Sequence, residues 1–134
     1  MNTLRGHIST IQTHGSLSLV QVCVHEDVFW TTIVIETPDT ASYLCQGKEI
    51  TLMFKETEVS ISTDLDLNIS IHNKAQGTIL EIEKGILLSK LVLATNLGNI
   101  TALLTSKAIN LLQLKIGDPI VAMVKTTEIM VSHS

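Results

Sequence analysis

The sequence predicts an all-β protein, from its composition and from the spacing of its apolar residues. Of 134 residues, 45% are hydrophobic but only 3% aromatic, and isoleucine, leucine and valine supply 44 of them. Apolar runs of about five to nine residues, alternating or continuous, recur along the chain between Gly, Asn and Asp residues. Strands fit this pattern better than helices. So much aliphatic material also excludes a disordered chain or a disulfide scaffold.

The apolar runs predict ten strands in two sets of five. The first set covers residues 4–12, 17–24, 28–35, 49–54 and 57–61, and the second covers 75–83, 86–95, 99–105, 119–125 and 128–131. Between the third and fourth strands of each set, one or two helical turns are predicted, over residues 39–45 and 106–113. Pro38 precedes the first of these segments, and Gly47 and Gly117 follow the two segments, as expected for helix boundaries.

An internal repeat relates the two sets. An offset of 70 residues superposes identical residues: Thr31 and Thr101, Leu44 and Leu114, Gly47 and Gly117, Lys55 and Lys125, Thr57 and Thr127, Glu58 and Glu128. Near the start an offset of 71 superposes Asn2 on Asn73, Gly6 on Gly77, Ile8 on Ile79 and Ile11 on Ile82. The chain is therefore a tandem duplication. We expect one domain over residues 1–63 and a second over residues 68–134, joined by a short polar link.

Each repeat is predicted to form a five-stranded OB-like Greek-key barrel with a short helix after the third strand. Closure of the barrel removes the exposed strand edges that a small open sheet would leave. Units of this size rarely bury enough apolar surface to be stable alone. We therefore expect the two repeats to pack on each other and the chain to form a homo-oligomer.

Charge is distributed unevenly over the two repeats. The net charge is −4, and it divides into −6 for residues 1–66 and +2 for residues 67–134. An acidic chain with four aromatic residues does not suit the OB-type nucleic-acid binder, which needs a basic groove and stacking aromatics. No nucleic-acid partner is expected. The second repeat is the better place to look for an anion site.

Several other classes of protein lack their signatures here. The first twenty residues do not form a signal peptide, and no stretch has the roughly 18 to 20 apolar residues of a membrane span, so a cytoplasmic protein without a membrane partner is expected. No Gly-x-Ser-x-Gly turn or glycine-rich phosphate loop is present, and the histidines lack metal-ligand spacing. We therefore predict no enzyme activity, no cofactor and no protein-ligated metal cation.

The ordered motifs resemble a known family. Each repeat carries Asn-x-x-x-Gly-x-Ile-x-x-Ile and, near its end, Leu-x-x-Gly followed by a strand and Lys-x-Thr-Glu; the second also carries Thr-Ala-Leu-Leu-Thr. This set resembles the Mop, or molybdate-binding TOBE, domain. Two copies without another domain resemble a molbindin, a small cytoplasmic binder of molybdate and tungstate. The resemblance implies storage or homeostasis of the oxyanion, with sites at subunit interfaces of a homo-oligomer, by resemblance a trimer.

The resemblance also implies a set of oxyanion-binding residues in the second repeat. They are Ser70, Ile71, His72, Asn73, Thr105, Ser106, Lys125, Thr126 and Thr127. His72 stands where the family has Arg, and Ser106 is expected to replace a serine that is Ala108 here. In the first repeat only Lys55 remains, because Ile35 replaces the threonine and Glu36 adds a negative charge. That repeat is therefore expected to have a degenerate site.

These residue types suit a tetrahedral dianion. Its four oxygens accept hydrogen bonds and donate none, so a pocket needs hydroxyl and backbone donors and one or two cations, whose hydrogen bonds are about twice as strong as neutral ones. An alternative function is open at this point. The same double unit serves as the effector and oligomerisation module of a molybdate-responsive transcription regulator, which acts through protein contacts.

Overall fold

A computed structural model describes residues 1–133 and contains ten strands and one α-helix. The first repeat contains β1 (Asn2–His14), β2 (Leu17–His25), β3 (Val28–Val34), β4 (Glu49–Phe54) and β5 (Ser60–Ser62). The second contains β6 (Asn73–Lys84), β7 (Leu88–Thr95), β8 (Gly98–Thr105), α1 (Ser106–Leu112), β9 (Pro119–Val124) and β10 (Met130–Ser132). All ten strands form where the alternating pattern predicts them, within a few residues at the ends.

The strands form two antiparallel five-stranded sheets with equivalent topologies. Their orders are β10-β4-β1-β2-β3 and β5-β9-β6-β7-β8. Within each repeat the first four strands follow the spatial order 4-1-2-3, which is the Greek key. The predicted all-β fold of two tandem five-stranded units is therefore confirmed.

The two repeats exchange their fifth strands. β5 belongs to the first repeat but pairs with β9 of the second, where Ile61 lies opposite Ala122. β10 belongs to the second repeat but pairs with β4 of the first, where Val131 lies opposite Leu52. Each sheet is therefore completed by the other repeat, and neither sheet has five strands without it.

A short 3-10 turn carries the chain from one sheet to the other in each repeat. The turns cover Glu56–Glu58 and Thr126–Glu128. In them the Glu58 N–H donates to the Lys55 carbonyl and the Glu128 N–H donates to the Lys125 carbonyl, both at 3.0 Å. The fifth strands were predicted to begin at residues 57 and 128, which was wrong, since they begin at Ser60 and Met130. The chain must first turn towards the sheet of the other repeat.

The predicted helix after the third strand forms only in the second repeat. α1 begins after Thr105, whose hydroxyl accepts the N–H of Ala108 at 3.1 Å. The equivalent first-repeat residues are Ile35, which has no hydroxyl, and Pro38, which has no N–H to donate. Residues 39–45 form turns instead of a helix. The helix predicted there was wrong because the first repeat cannot form this cap.

Both repeats contribute to one apolar core. It contains Trp30 and Phe54 of the first repeat, with ring centroids 5.5 Å apart, and Ile79 and Leu91 of the second. Apart from Trp30, whose Nε1–H donates to the Lys74 carbonyl at 3.2 Å, the largest fully buried side chains are mostly aliphatic. The aliphatic composition therefore reflects a shared interior rather than two separate ones.

Candidate functional site

One end of the second sheet brings together two of the three predicted site segments. Asn73, the first residue of β6, pairs with Val124, the last residue of β9. The segment Ser70–His72 therefore enters the sheet beside the point where Lys125 leaves it. The side chains of Ser70, His72 and Lys125 are exposed, and Ile71 is half-buried. A hydroxyl, an imidazole and an ammonium group are thus available to solvent at this end.

The residues after Lys125 pack against the first repeat. The 3-10 turn at Thr126–Glu128 contacts β3, and the buried hydroxyl of Thr32 donates to the Ile129 carbonyl at 3.0 Å. Thr126 is half-buried and Thr127 is exposed. This end of the molecule is therefore built jointly by both repeats.

Asn73 is engaged in a contact between the repeats. Its buried side-chain amide donates to the Thr31 carbonyl at 2.8 Å and accepts the Thr31 N–H at 2.7 Å. Asn2 makes the equivalent pair of hydrogen bonds with Thr101, at 2.8 and 2.9 Å. β3 and β8 are edge strands, so each asparagine amide acts as a short extra strand on an otherwise unpaired edge. The side chain of Asn73 thus has a structural role, whether or not it also contacts a ligand.

Thr105 and Ser106 lie at the other end of the sheet. Thr105 pairs with Leu88, next to the β6–β7 hairpin, whereas Asn73 begins β6 at the opposite end. The Thr105 hydroxyl caps α1. The buried Ser106 hydroxyl lies 2.7 Å from the Ser89 hydroxyl and donates to the Gly85 carbonyl at 2.7 Å. Within one chain, strand pairing therefore does not bring these two hydroxyls to Lys125.

Lys55 occupies the equivalent end of the first sheet and lines a groove of about 490 Å³. The other residues that line it are Glu56, Thr57, Lys90, Thr101 and Leu103. Hydrogen bonding from the Met1 ammonium group, 2.6 Å from the carboxylate, lowers the pKa of Glu56. Glu56 is therefore ionised at neutral pH and sets a negative charge beside Lys55.

Sequence reasoning missed Lys90 and Thr101. They belong to the second repeat, yet they lie beside Lys55 of the first because the 3-10 turn at Glu56–Glu58 packs against β8. The coincidence of Thr101 with Thr31 under the 70-residue offset was a signal for Thr101. No comparable signal existed for Lys90. The strand pairing shows that the equivalent residue of the first repeat is Leu19, which is not a lysine.

Two further features bear on function. Among residues 1–133, no group of three or more His, Cys, Asp or Glu side chains is placed to hold a metal ion. In the same part of the chain, no helix has the length and apolar character needed to cross a membrane. The exposed groups at the Lys125 end are a hydroxyl, an imidazole and an ammonium group, which can donate hydrogen bonds to an anion.

Comparisons with known proteins place this arrangement in a family. The TOBE domain profile matches residues 69–131. MopII from Clostridium pasteurianum is 30% identical over 47% of this chain and 96% of its own, with a TM-score of 0.45. The cytoplasmic molybdate-binding protein ModG, in a crystal form with molybdate bound, matches with a TM-score of 0.90 and 25% identity, covering 99% of this chain and 96% of its own. The chain belongs to the Mop family of TOBE domains.

The Mop assignment confirms the predicted family. No enzyme activity was predicted from the sequence, and ModG is described as a molybdate-binding protein. A search of curated protein sequences gives no significant match. The TOBE profile covers the second Mop repeat, which is also the repeat that carries Ser70–His72 and Lys125.

Proposed function

We propose that this Mop protein is a cytoplasmic binder of molybdate or tungstate that serves storage or homeostasis of the oxyanion. The observation that carries the proposal is the match to molybdate-bound ModG over nearly the whole of both chains. The exposed donors Ser70, His72 and Lys125 at one end of the second repeat support it. We propose residues 68–134 as the repeat that supplies the ligands, and residues 1–63 as a repeat with a reduced site.

We propose that the oxyanion binds between subunits. Lys125 and Thr105 lie at opposite ends of the second sheet, so a site that uses both needs two chains. Thr105 lies beside an exposed apolar patch, which consists of the β6–β7 hairpin tip and the outer face of α1 with the loop after it: Ile86, Leu87, Leu88, Leu111, Leu112 and Ile116. The hairpin and helix are held together by the Ser106 N–H, which donates to the Leu87 carbonyl at 2.8 Å. A subunit covering this patch with its Lys125 end would complete the ligand set.

His72 distinguishes this site from the arginine-containing sites that the family resemblance implies. A neutral imidazole provides one N–H donor and no charge, whereas the protonated form provides two donors and a positive charge. Lys125 is the one lysine or arginine of the cluster at Ser70–Asn73 and Lys125–Thr127. Lys125 is therefore expected to contribute most of the charge-assisted binding.

Removal of the Lys125 ammonium group tests the proposed site. We expect Lys125→Ala to weaken molybdate binding by about 10- to 100-fold, because a hydrogen bond to a charged group contributes roughly 1.5–3 kcal/mol. Calorimetric titration with molybdate, tungstate and sulfate provides the measurement. Lys48→Ala is the matched control, since it removes an exposed lysine of the first repeat, away from the Lys125 end and from the apolar patch. Equal affinities for the two variants would contradict the assignment of Lys125, and absence of binding by the wild type would contradict the function.

Replacement within the apolar patch tests the oligomer. Ile86 is 97% exposed in the single chain, so Ile86→Glu should not disturb the fold. We expect the wild type to have close to three times the chain mass of 14.6 kDa, and Ile86→Glu to shift the mass towards a single chain because it places a charge in an apolar interface. Light scattering after size-exclusion chromatography measures both. Leu65→Glu, in the link between the repeats, is the control; if Ile86→Glu had the same mass as this control, the patch would not be the interface.

A further inference from the structure

The outer surface of the first sheet contains a basic groove that the proposed molybdate site does not use. The groove has a volume of about 410 Å³ and lies where β1, β4 and β10 run side by side. Its side chains are contributed mainly by Arg5, His7, Lys48, Glu49, Thr51 and His133. Arg5 and Lys48 are two of the three arginine and lysine residues among residues 1–66, so they place most of the positive charge of an acidic repeat in one groove.

Strand geometry fixes this cluster. Arg5 and His7 are two residues apart on β1, and both project outward, since Leu4 and Ile8 on the alternate face are buried. Arg5 lies opposite Thr51 in the register with β4, and His7 lies opposite Glu49. A guanidinium group, an imidazole and a hydroxyl are thus held on one rigid surface.

The two full cations in the groove have no carboxylate partner. Within residues 1–133, one ion pair is formed, between the Met1 ammonium group and Glu56, which lie outside this groove. Glu49 lines the groove but lies beyond ion-pair distance of Arg5, His7 and Lys48. The charges of Arg5 and Lys48 are therefore available to an anion that enters the groove.

The second repeat shows that the fold does not need these cations. The strand register places Gln76 at the position of Arg5 and Thr78 at that of His7. Under the 70-residue offset, Asp118 replaces Lys48 and Thr63 replaces His133. The same barrel surface thus forms with no cation and one carboxylate. Packing and strand pairing consequently do not explain the cluster.

The wall at His133 is an ordered aromatic surface. The imidazole stacks on Tyr43 with ring centroids 4.0 Å apart and an angle of 1° between the planes. The Tyr43 hydroxyl donates to Glu36 at 2.7 Å, and burial, followed by this hydrogen bond, raises the pKa of Tyr43. Tyr43 therefore remains protonated and fixed at neutral pH, which holds His133 in place at the edge of the groove.

We propose that this groove is a second anion site, which binds the phosphate group of a small phosphate monoester. Arg5 and Lys48 contact the phosphate oxygens, with the guanidinium group offering two parallel N–H donors. Thr51 provides a hydroxyl donor beside Arg5. The volume lies in the range of about 300–1,000 Å³ that is typical of sites for small organic molecules and far exceeds a single tetrahedral anion. The organic part of the ligand is expected to lie along the imidazoles of His7 and His133.

Calorimetric titration with adenosine 5′-monophosphate and with inorganic phosphate tests this site in the full chain. We expect the monophosphate to bind more tightly than inorganic phosphate, and Arg5→Gln/Lys48→Gln to weaken it by about tenfold or more. The control, Lys115→Gln, should bind the monophosphate like the wild type. No binding of either probe, or equal binding by the double variant and this control, would overturn the proposal. Tighter binding of inorganic phosphate would overturn the monoester as the ligand.

The same variants separate this site from the molybdate site. Arg5→Gln/Lys48→Gln should leave molybdate affinity unchanged, and Lys125→Ala should leave monophosphate affinity unchanged. If Arg5→Gln/Lys48→Gln reduced molybdate and monophosphate binding equally, a separate second site would be contradicted. If Lys125→Ala alone failed to affect molybdate, the proposed molybdate site would fail while the groove proposal stood.

Discussion

Gly77→Ala is expected to destabilise the protein by about 3 kcal/mol or more, because the new methyl group has no space. A Cβ on Gly77 would lie 2.7 Å from the Thr95 Cα and would come still closer to the Ala94 carbonyl oxygen. Both obstructing atoms are backbone atoms of β7, the strand that pairs with β6 at this position. They can move away only if the pairing between the two strands is disrupted.

Glycine is needed at position 77 because the β7 backbone is close, and not because of an unusual backbone conformation. Gly77 does not have the positive φ that Gly15 and Gly117 adopt, so alanine is compatible with its backbone conformation. Urea-induced unfolding measures the change, with the neighbouring exposed Thr78→Ala as control. Gly6→Ala should behave like Gly77→Ala, since its Cβ would meet the Cys23 carbonyl oxygen in the same way. A Gly77→Ala midpoint equal to that of the Thr78→Ala control would show that β6 and β7 are farther apart here.

Local sequence patterns were sufficient to predict the strands and the repeat. The period-two alternation and the hairpin glycines act over a few residues, so the strands could be placed without knowledge of the fold. The duplication then indicated that both halves have the same topology. The Greek-key strand order was predicted from the five strands of each half and the short helical segment after the third strand.

The exchange of fifth strands could not be predicted from these patterns. Ser60–Ser62 and Met130–Ser132 occupy equivalent positions under the 70-residue offset, and each is a segment of three residues with an aliphatic residue at its centre. The edges that they join, β4 and β9, are equivalent too. The apolar pattern of a fifth strand therefore fits the edge strand of its own repeat and that of the other repeat equally well. The difference arises from the 3-10 turns, whose direction depends on contacts with the other repeat.

The predicted site is spread over the molecule for a similar reason. The motif order places Thr105, Ser106 and Lys125 close in sequence, but the sheet places the first two at the end opposite Lys125. The roles of the Thr105 hydroxyl as a helix cap and of Ser106 as a buried hydrogen-bonding residue also depend on structure around them. Residue type alone does not separate such structural hydroxyls from ligand donors.

Asn73→Ala is expected to destabilise the protein by about 2–3 kcal/mol, because it leaves an N–H and a carbonyl of an edge strand without partners. The Asn73 amide, 1% exposed, satisfies both backbone groups of Thr31 in the other repeat. Alanine removes both hydrogen bonds and leaves a cavity between the repeats. Thermal and urea unfolding in the absence of oxyanion measure the loss, and Asn99→Ala, an exposed asparagine on β8, is the control.

This variant also separates the structural role of Asn73 from a ligand role. If the amide acts through Thr31, Asn73→Ala lowers stability without any ligand, whereas Lys125→Ala changes stability only when molybdate is present, since a ligand stabilises the state that it binds. Asn2→Ala should lower stability in the same way, because Asn2 makes the same two contacts with Thr101. A stability of Asn73→Ala equal to that of the Asn99→Ala control, combined with lost molybdate binding, would instead make Asn73 a ligand and not a contact that holds the repeats together.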